Sequence, residues 1–351
     1  MLSALLPATA AIAILAFAPA PEGPRPAPDC RDDRGVDRCA AGQQRRVREL
    51  YRLKSIEEHQ AAGDQVRRVF YVDGYGRDLI AIAFVRSPGQ DPAAWVHFPA
   101  APRPAPAPPM QSLAPKAVWE EMLDRSWLFD RRLVAEKPEG PVICMHAWVY
   151  TIEATDPAGP AGYEKSEPPR RKTGDACSDE LAQDYGDEVA KAALPLFPAC
   201  AALDPEQHCN AASQLAACAI LRGDRMAAAE VLNRAGAFRR AREAGESVLL
   251  RGLFASRATV DWNGSVGRDA LRLHDFWLAR LEEAGRPAFY VESVEGLSSQ
   301  RVRLIGTLTR TEERPAGERT LTARVEQIWH FTPAREYQVE SVKVGPFEPA
   351  P

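Results

Sequence analysis

The sequence predicts an α+β protein in which two sheet-bearing domains are joined by a helical connector. Short apolar runs with the two-residue period of strands occur in the first half and near the end of the chain. Between them lies a segment with the three-and-four apolar spacing of helices. The 30 prolines fall mostly in three segments, and we interpret these segments as punctuation between structural units.

The composition excludes some classes of binding partner but does not identify the partner. The 351 residues are 45% hydrophobic and 26% charged, which is ordinary for a globular protein of two or three domains. The formal net charge of −4 gives no overall attraction to nucleic acid or to an anionic membrane. We therefore expect no nucleic-acid partner.

The N-terminus is the main indication of where the protein resides. Residues 1–20 carry no charged side chain and contain an apolar run that is followed by small residues, which predicts a secretory signal peptide. No Lys or Arg precedes the run, and prolines follow both small-residue sites, so an uncleaved membrane anchor is the alternative. Residues 21–42 are predicted to be a flexible leader. We expect a periplasmic or secreted protein.

Seven cysteines, all beyond the predicted signal, favour an oxidising compartment. Proximity in the chain suggests three disulfides and leaves Cys218 unpaired as a buried apolar residue. The suggested pairs are Cys30–Cys39, Cys144–Cys177 and Cys200–Cys209. No CxxC motif occurs, so we predict no metal site, and the sequence indicates no cofactor.

Residues 43–155 are predicted to form an α+β domain on an antiparallel sheet. A helix over 43–60 precedes two strands that are joined by a hairpin turn from Asp73 to Gly76. A Pro-rich insertion follows at 99–115, and a helix is predicted over 118–128.

The nearly continuous apolar run 142–153 is typical of a strand inside a sheet. His97 and His146 lie in strand-like runs and would meet if those strands paired. Residues 156–177 are predicted to be a loop.

Residues 178–245 are predicted to be a helical connector. Its second helix is expected over 205–222, where Asp204 is the N-cap and Pro205 occupies the first position. A further helix is expected to begin at Arg225.

Residues 246–351 show the order helix, strand, helix and three or four further strands. The strand that holds Asp261 closes at Asn263-Gly264, a helix over 270–283 ends at Gly285, and turn residues bound each later strand. This order resembles the nuclear transport factor two-like (SnoaL-like) superfamily. The resemblance covers about a third of the chain. It implies a cone-shaped α+β domain that encloses a pocket, a fold used by enzymes and by binding modules, and it transfers no residue roles.

The two-residue period of 321–331 separates a pocket wall from an outer face. Trp262, Gln327, Trp329 and Phe331 are the predicted pocket-lining residues, and His330 is predicted to point away. Asp261 is a weak candidate for a catalytic base, because turn capping beside Asn263-Gly264 explains it as well.

These observations favour an exported, non-enzymatic protein with a ligand-binding or assembly module. The alternative is a small-molecule isomerase, dehydratase or hydrolase that uses an acidic residue in the C-terminal pocket. A third possibility is glycan contact through the Trp-rich first domain. The expected partner is a small molecule or an envelope protein, and a homodimer through the C-terminal domain is conceivable. We expect contact with a membrane only through the N-terminus, if it is not cleaved.

Overall fold

The computed structural model describes residues 40–100, 107–125, 146–156, 168–177, 180–269, 271–315 and 317–350. The predicted signal peptide, most of the leader and the suggested Cys30–Cys39 disulfide lie outside these residues. The α+β class is confirmed, because the described chain forms a six-stranded sheet and an eight-stranded sheet with helices packed on both. Within the described ranges, no helix combines the length and apolar character needed to cross a membrane.

The first sheet is antiparallel, with strand order β4-β3-β2-β1-β5-β6. Its strands are β1 (Gln65–Val72), β2 (Asp78–Arg86), β3 (Ala93–His97), β4 (Met110–Leu113), β5 (Val149–Thr155) and β6 (Arg170–Asp175). The hairpin between β1 and β2 is confirmed. Asp73 builds it, because its Oδ1 accepts hydrogen bonds from the backbone N–H groups of Tyr75 and Arg77, each at 2.9 Å.

Three predictions for this sheet are wrong. β4 lies inside the segment predicted as a Pro-rich insertion, since Met110 pairs with Val96 and is buried. β6 lies inside the segment that was predicted to be a loop. Its basic side chains can be buried in the sheet because they form ion pairs, as Arg171 does with Glu153. His97 and His146 do not meet, since β2 and β1 separate β3 from β5 and His146 packs instead on Tyr75 at the hairpin tip, 4.5 Å between ring centroids.

Helices cover both faces of the first sheet and one face of the second. They are α1 (Ala40–Arg45), α2 (Ile56–Ala61), α3 (Lys116–Asp124), α4 (Glu180–Ala193), α5 (Pro198–Ala201), α6 (Ala211–Ala217), α7 (Arg225–Ala244) and α8 (Leu273–Glu283). A π-helical turn, Arg46–Leu50, continues α1. Short 3₁₀ turns cover Leu194–Leu196, Pro205–Gln207, Cys218–Ile220 and Ser247–Leu250.

The N-terminal helix predicted over 43–60 is interrupted. Ser55 starts α2 with a capping box, in which its hydroxyl accepts from the Glu58 N–H and the Glu58 carboxylate accepts from the Ser55 N–H. On the opposite face of the sheet α4 approaches closely. Tyr71 donates its hydroxyl to the Gly186 carbonyl at 2.6 Å, and a Cβ at Gly186 would lie 2.3 Å from the Tyr150 ring.

The helix predicted over 205–222 is also broken. Asp204 does accept a hydrogen bond from the Glu206 N–H, but only a 3₁₀ turn follows. Asn210 and Ser213 form a new capping box that begins α6. The chain then turns into the short strand β7 (Leu221–Gly223), so the connector supplies a strand to the second sheet.

This break explains why the suggested Cys200–Cys209 disulfide is wrong. α6 returns toward α5, where the Gln214 side chain donates to the Cys200 carbonyl at 3.0 Å. Cys218 is thereby brought to Cys200, and the two form a buried disulfide with 5.5 Å between their Cα atoms. Cys209 is free and exposed. Cys177 is disulfide-bonded, and its suggested partner Cys144 lies outside the described residues.

The second sheet has the order β7-β10-β11-β12-β13-β8-β9, with β14 paired to β12. Its remaining strands are β8 (Phe254–Trp262), β9 (Ser265–Gly267), β10 (Ala288–Ser298), β11 (Arg301–Arg314), β12 (Gly317–Phe331), β13 (Tyr337–Val344) and β14 (Glu348–Pro349). β7 runs parallel to β10 and β8 parallel to β13. The predicted order of strand, helix and further strands is confirmed.

One large cluster of buried apolar side chains joins the two sheets. It includes Tyr71 from the first sheet, Phe238 from α7 and Trp329 from the second sheet. α4 packs on β5 and β6, and α7 packs on β10 and β11. The connector helices therefore serve as the shared core of both sheets.

Candidate functional site

The interior between the second sheet and helices α7 and α8 is where a cone-shaped domain would hold a ligand. The two-residue period predicted for β12 is confirmed there, because Val325, Gln327 and Trp329 are each fully buried. The predicted pocket residue Trp262 is 9% exposed and lies on the same side. Phe331 is only partly buried and packs on Tyr337 at the strand end, 5.1 Å between ring centroids.

Aromatic rings occupy this interior. The Phe238 ring lies 5.3 Å from Trp277 and 6.1 Å from Trp329, measured between centroids. Trp262 lies 5.3 Å from Trp277. All these pairs are edge-on, the arrangement that aromatic rings favour in packed cores. Sequence reasoning did not include Phe238 or Trp277 in the site, although each stands on a helix that was predicted.

Gln327 is the polar group of this interior. Its Oε1 accepts a hydrogen bond from Trp329 Nε1 at 3.0 Å. Its Nε2 and the indole Nε1 of Trp277 are both buried and have no hydrogen-bond partner among the described residues. A buried donor without a partner costs about 1–3 kcal/mol, so each of these two N–H groups lowers the stability of the folded protein.

Asp261 lies at the edge of the domain, away from this interior. Val260 and Trp262 point inward on either side of it, so alternation along β8 directs Asp261 outward, and its side chain is partly exposed. Its Oδ1 accepts a hydrogen bond from the Gly264 N–H at 2.8 Å. This contact closes the turn between β8 and β9. His330 also lies on the outer face, partly exposed.

The first sheet contains a different kind of site, which sequence reasoning missed. Glu153 on β5 is fully buried between two guanidinium groups, with Arg68 Nε and Arg171 Nε each 2.8 Å from its carboxylate. Arg171 also binds Glu57 on α2 at 2.5 Å. The available signal was a carboxylate within the apolar strand Val-Tyr-Thr-Ile-Glu, because a buried charge requires partners.

Two histidines flank this ion cluster. His59 Nδ1 lies 2.8 Å from Asp64 Oδ2. Burial, together with the nearby positive charge of Arg68, lowers the pKa of His97 to about 4, so this imidazole is neutral at physiological pH. Burial also lowers the pKa of His59, against the opposing effect of Asp64.

No group of three or more His, Cys, Asp or Glu side chains is arranged to hold a metal ion in the part of the chain that the structure describes. The ion cluster of the first sheet is charge-compensated by its own arginines. Its geometry is therefore suited to holding β1, β5, β6 and α2 together.

No protein-family model matches this chain, and no curated protein matches it. Among solved structures, the chain is similar to a ketosteroid isomerase-like protein from Erwinia carotovora atroseptica, with 12% identity and a TM-score of 0.28 over 33% of this chain and 93% of that one. It is similar to a nuclear transport factor 2-like superfamily protein from Salmonella enterica, with 12% identity and a TM-score of 0.28 over 35% and 92%. A third is a protein of unknown function of the same kind from Shewanella oneidensis, with 9% identity and a TM-score of 0.27 over 33% and 97%.

Each of these neighbours covers about a third of the chain. No activity and no residue role is transferred from them.

Proposed function

We propose that this protein is an exported binding or assembly protein, in which the C-terminal domain is a packed module without a catalytic pocket. The observation that carries the proposal is the occupied interior of the second sheet. Trp329 and Trp277 are 0% and 1% exposed, and Phe238 lies between them at 2%. A substrate would have to displace these rings before it reached Gln327.

The position of Asp261 supports the non-enzymatic function. A general base needs reach to the substrate and a pKa raised by burial. Asp261 is partly exposed, and its carboxylate is engaged with the Gly264 N–H in a turn. The enzymatic alternative therefore needs a different base inside the aromatic interior.

The Cys200–Cys218 disulfide supports export. Its two sulfur atoms are buried at the junction of α5 and α6, where they join segments 18 residues apart. Structural disulfides of this kind form in oxidising compartments. The predicted signal peptide gives the same expectation.

The outer face of the second sheet supports an assembly role. Ile305 and Ile328 lie diagonally opposite on β11 and β12, and both are partly exposed. Tyr290 on β10 is 60% exposed. Light scattering on the purified protein tests whether it forms the homodimer that assembly through this face implies.

Two further measurements test the proposal. Fractionation of the native host, with thiol alkylation before reduction, is expected to recover the protein in the envelope or medium with Cys200 and Cys218 oxidised. Recovery in the cytosol with free thiols would contradict export.

The packed interior is tested with benzene and indole as probes of a cavity. We expect neither probe to raise the melting temperature (Tm) of the wild-type protein. We expect Phe238→Ala to gain benzene binding, because a dry apolar cavity binds such molecules. Binding of indole by the wild type, seen as a rise in Tm, would instead favour a substrate pocket.

A further inference from the structure

A cleft of about 550 Å³ opens on the first domain, between the N-terminal helix and the sheet. One wall is formed by α1 and the π-helical turn, including Gln43, Arg45 and Glu49. The other is formed by β5 and β6, including Thr151 and Thr173. Small-molecule sites in proteins commonly measure about 300–1,000 Å³, so this cleft has room for a ligand of two linked rings.

An ion pair and hydrogen bonds fix the inner wall of the cleft in advance. Arg46 Nε lies 2.9 Å from Asp78 Oδ1, and Arg46 Nη1 donates to Thr151 Oγ1 at 3.3 Å and to Gln43 Oε1 at 3.2 Å. Thr151 Oγ1 in turn lies 3.3 Å from Thr173 Oγ1. Because these side chains are already ordered, a ligand that binds here loses little free energy to their immobilisation.

The rim of the cleft carries one positively charged and one negatively charged side chain. Arg45 and Glu49 are exposed, and neither forms an ion pair with any residue that the structure describes. With Arg46 and Asp78 paired behind them, the lining has two positive and two negative charges. A ligand with one net charge would attract one rim group and repel the other. An uncharged ligand with many hydroxyls can donate to Glu49 and accept from Arg45.

We propose that this cleft binds an uncharged, polyhydroxylated ligand, namely a short neutral saccharide. Its hydroxyls bond to the rim groups and to the threonine hydroxyls, and Leu50 and Val149 supply the apolar surface for the ring. The inference rests on the proposed binding role, but it places ligand recognition in the first domain and away from the aromatic interior of the second.

The test is isothermal titration calorimetry on the full-length, disulfide-bonded protein. The neutral probes are diacetylchitobiose, cellobiose and maltose, and the charged probes are ethanolamine, a cation, and glutarate, an anion. We expect at least one neutral probe to bind and both charged probes to fail. Arg45→Ala and Glu49→Gln are each expected to weaken that binding about tenfold, the loss expected for one ligand hydrogen bond of about 1.4 kcal/mol.

Arg48→Ala is the matched control. Arg48 belongs to the same π-helical turn, is exposed, and binds Glu58 outside the cleft lining at 3.2 Å. We expect its saccharide affinity to equal that of the wild type. All three substitutions are on exposed side chains, so retained Tm values will show that binding changes are local.

The inference is overturned if no neutral saccharide probe binds at a concentration of about 10 mM, well above the millimolar dissociation constants of weak ligands. It is also overturned if a charged probe binds in place of the saccharides, or if Arg45→Ala and Glu49→Gln bind as the control does. An exported, oxidised protein without saccharide binding overturns this inference alone. Cytosolic, reduced protein overturns the export proposal alone.

Discussion

Two helix-covered faces of this protein, one on each sheet, are buried with opposite chemistry. Under α2 the first sheet encloses Glu153 between Arg68 and Arg171. Under α7 and α8 the second sheet encloses Phe238, Trp277 and Trp329. A buried ion cluster tolerates no missing partner, whereas an aromatic core tolerates partial collapse around a missing ring. Removal of one buried side chain should therefore change the free energy of unfolding by different amounts in the two sheets.

The largest expected loss follows removal of the shared carboxylate. Glu153→Ala leaves two guanidinium groups buried without their anion, and we expect a loss of about 5 kcal/mol in the free energy of unfolding. Urea denaturation measures it. The control Glu120→Ala removes a 58% exposed carboxylate paired with Lys116, and it should change stability by less than about 1 kcal/mol. Equal effects of the two substitutions would contradict the structural role of the ion cluster.

Phe238→Ala should cost somewhat less, about 3–4 kcal/mol, because the ring leaves a cavity that its neighbours only partly fill. Urea denaturation again measures the change. Met226→Ala is the control on the same helix, since Met226 is 52% exposed and should lose little. A loss below about 1 kcal/mol for Phe238→Ala would mean that the interior of the second sheet is not packed as described.

Acid should weaken the first sheet. The folded protein keeps His97 neutral because burial lowers its pKa to about 4, while the unfolded chain takes up the proton near pH 6.5. Protonation therefore favours unfolding. The stability contributed by neutral His97 is complete above pH 6.5 and is lost as the pH falls toward 4, by at most about 3 kcal/mol.

His97→Gln should reduce this pH dependence, as followed by urea denaturation between pH 7 and 4. His59 and the carboxyl groups whose pKa is also lowered, among them Glu57, Asp64 and Asp156, contribute the remainder. An unchanged pH profile in His97→Gln would contradict the assignment to His97.

The smallest effect is expected at the polar group of the aromatic interior. Gln327→Met removes a buried amide whose Nε2 has no partner among the described residues, but it also leaves Trp329 Nε1 without its acceptor. These changes oppose each other, so we expect a net change within about 1 kcal/mol. A loss as large as that of Glu153→Ala would show that Gln327 holds a structural network after all.

Patterns within short stretches of sequence correctly predicted those features that depend on neighbouring residues. The alternation over 321–331 separates buried Trp329 from outward His330, and Asp73 forms the turn that its neighbours indicated. Asp261 was expected either as a base or as a turn residue, and its bond to the Gly264 N–H is the local one. The hydrogen-bond partners of Asp73 and Asp261 each lie within four residues along the chain.

Those patterns could not predict the contacts between distant segments of the chain. Arg171 becomes part of a strand because Glu153, 18 residues away, compensates its charge. Cys218 reaches Cys200 because the capping box at Asn210 turns α6 back on α5. The aromatic interior and the polar cleft likewise combine residues from separate elements. Periodicity records which side of an element is apolar, but charge compensation, disulfide pairing and cavity filling depend on which elements meet, and that is settled by packing across the whole chain.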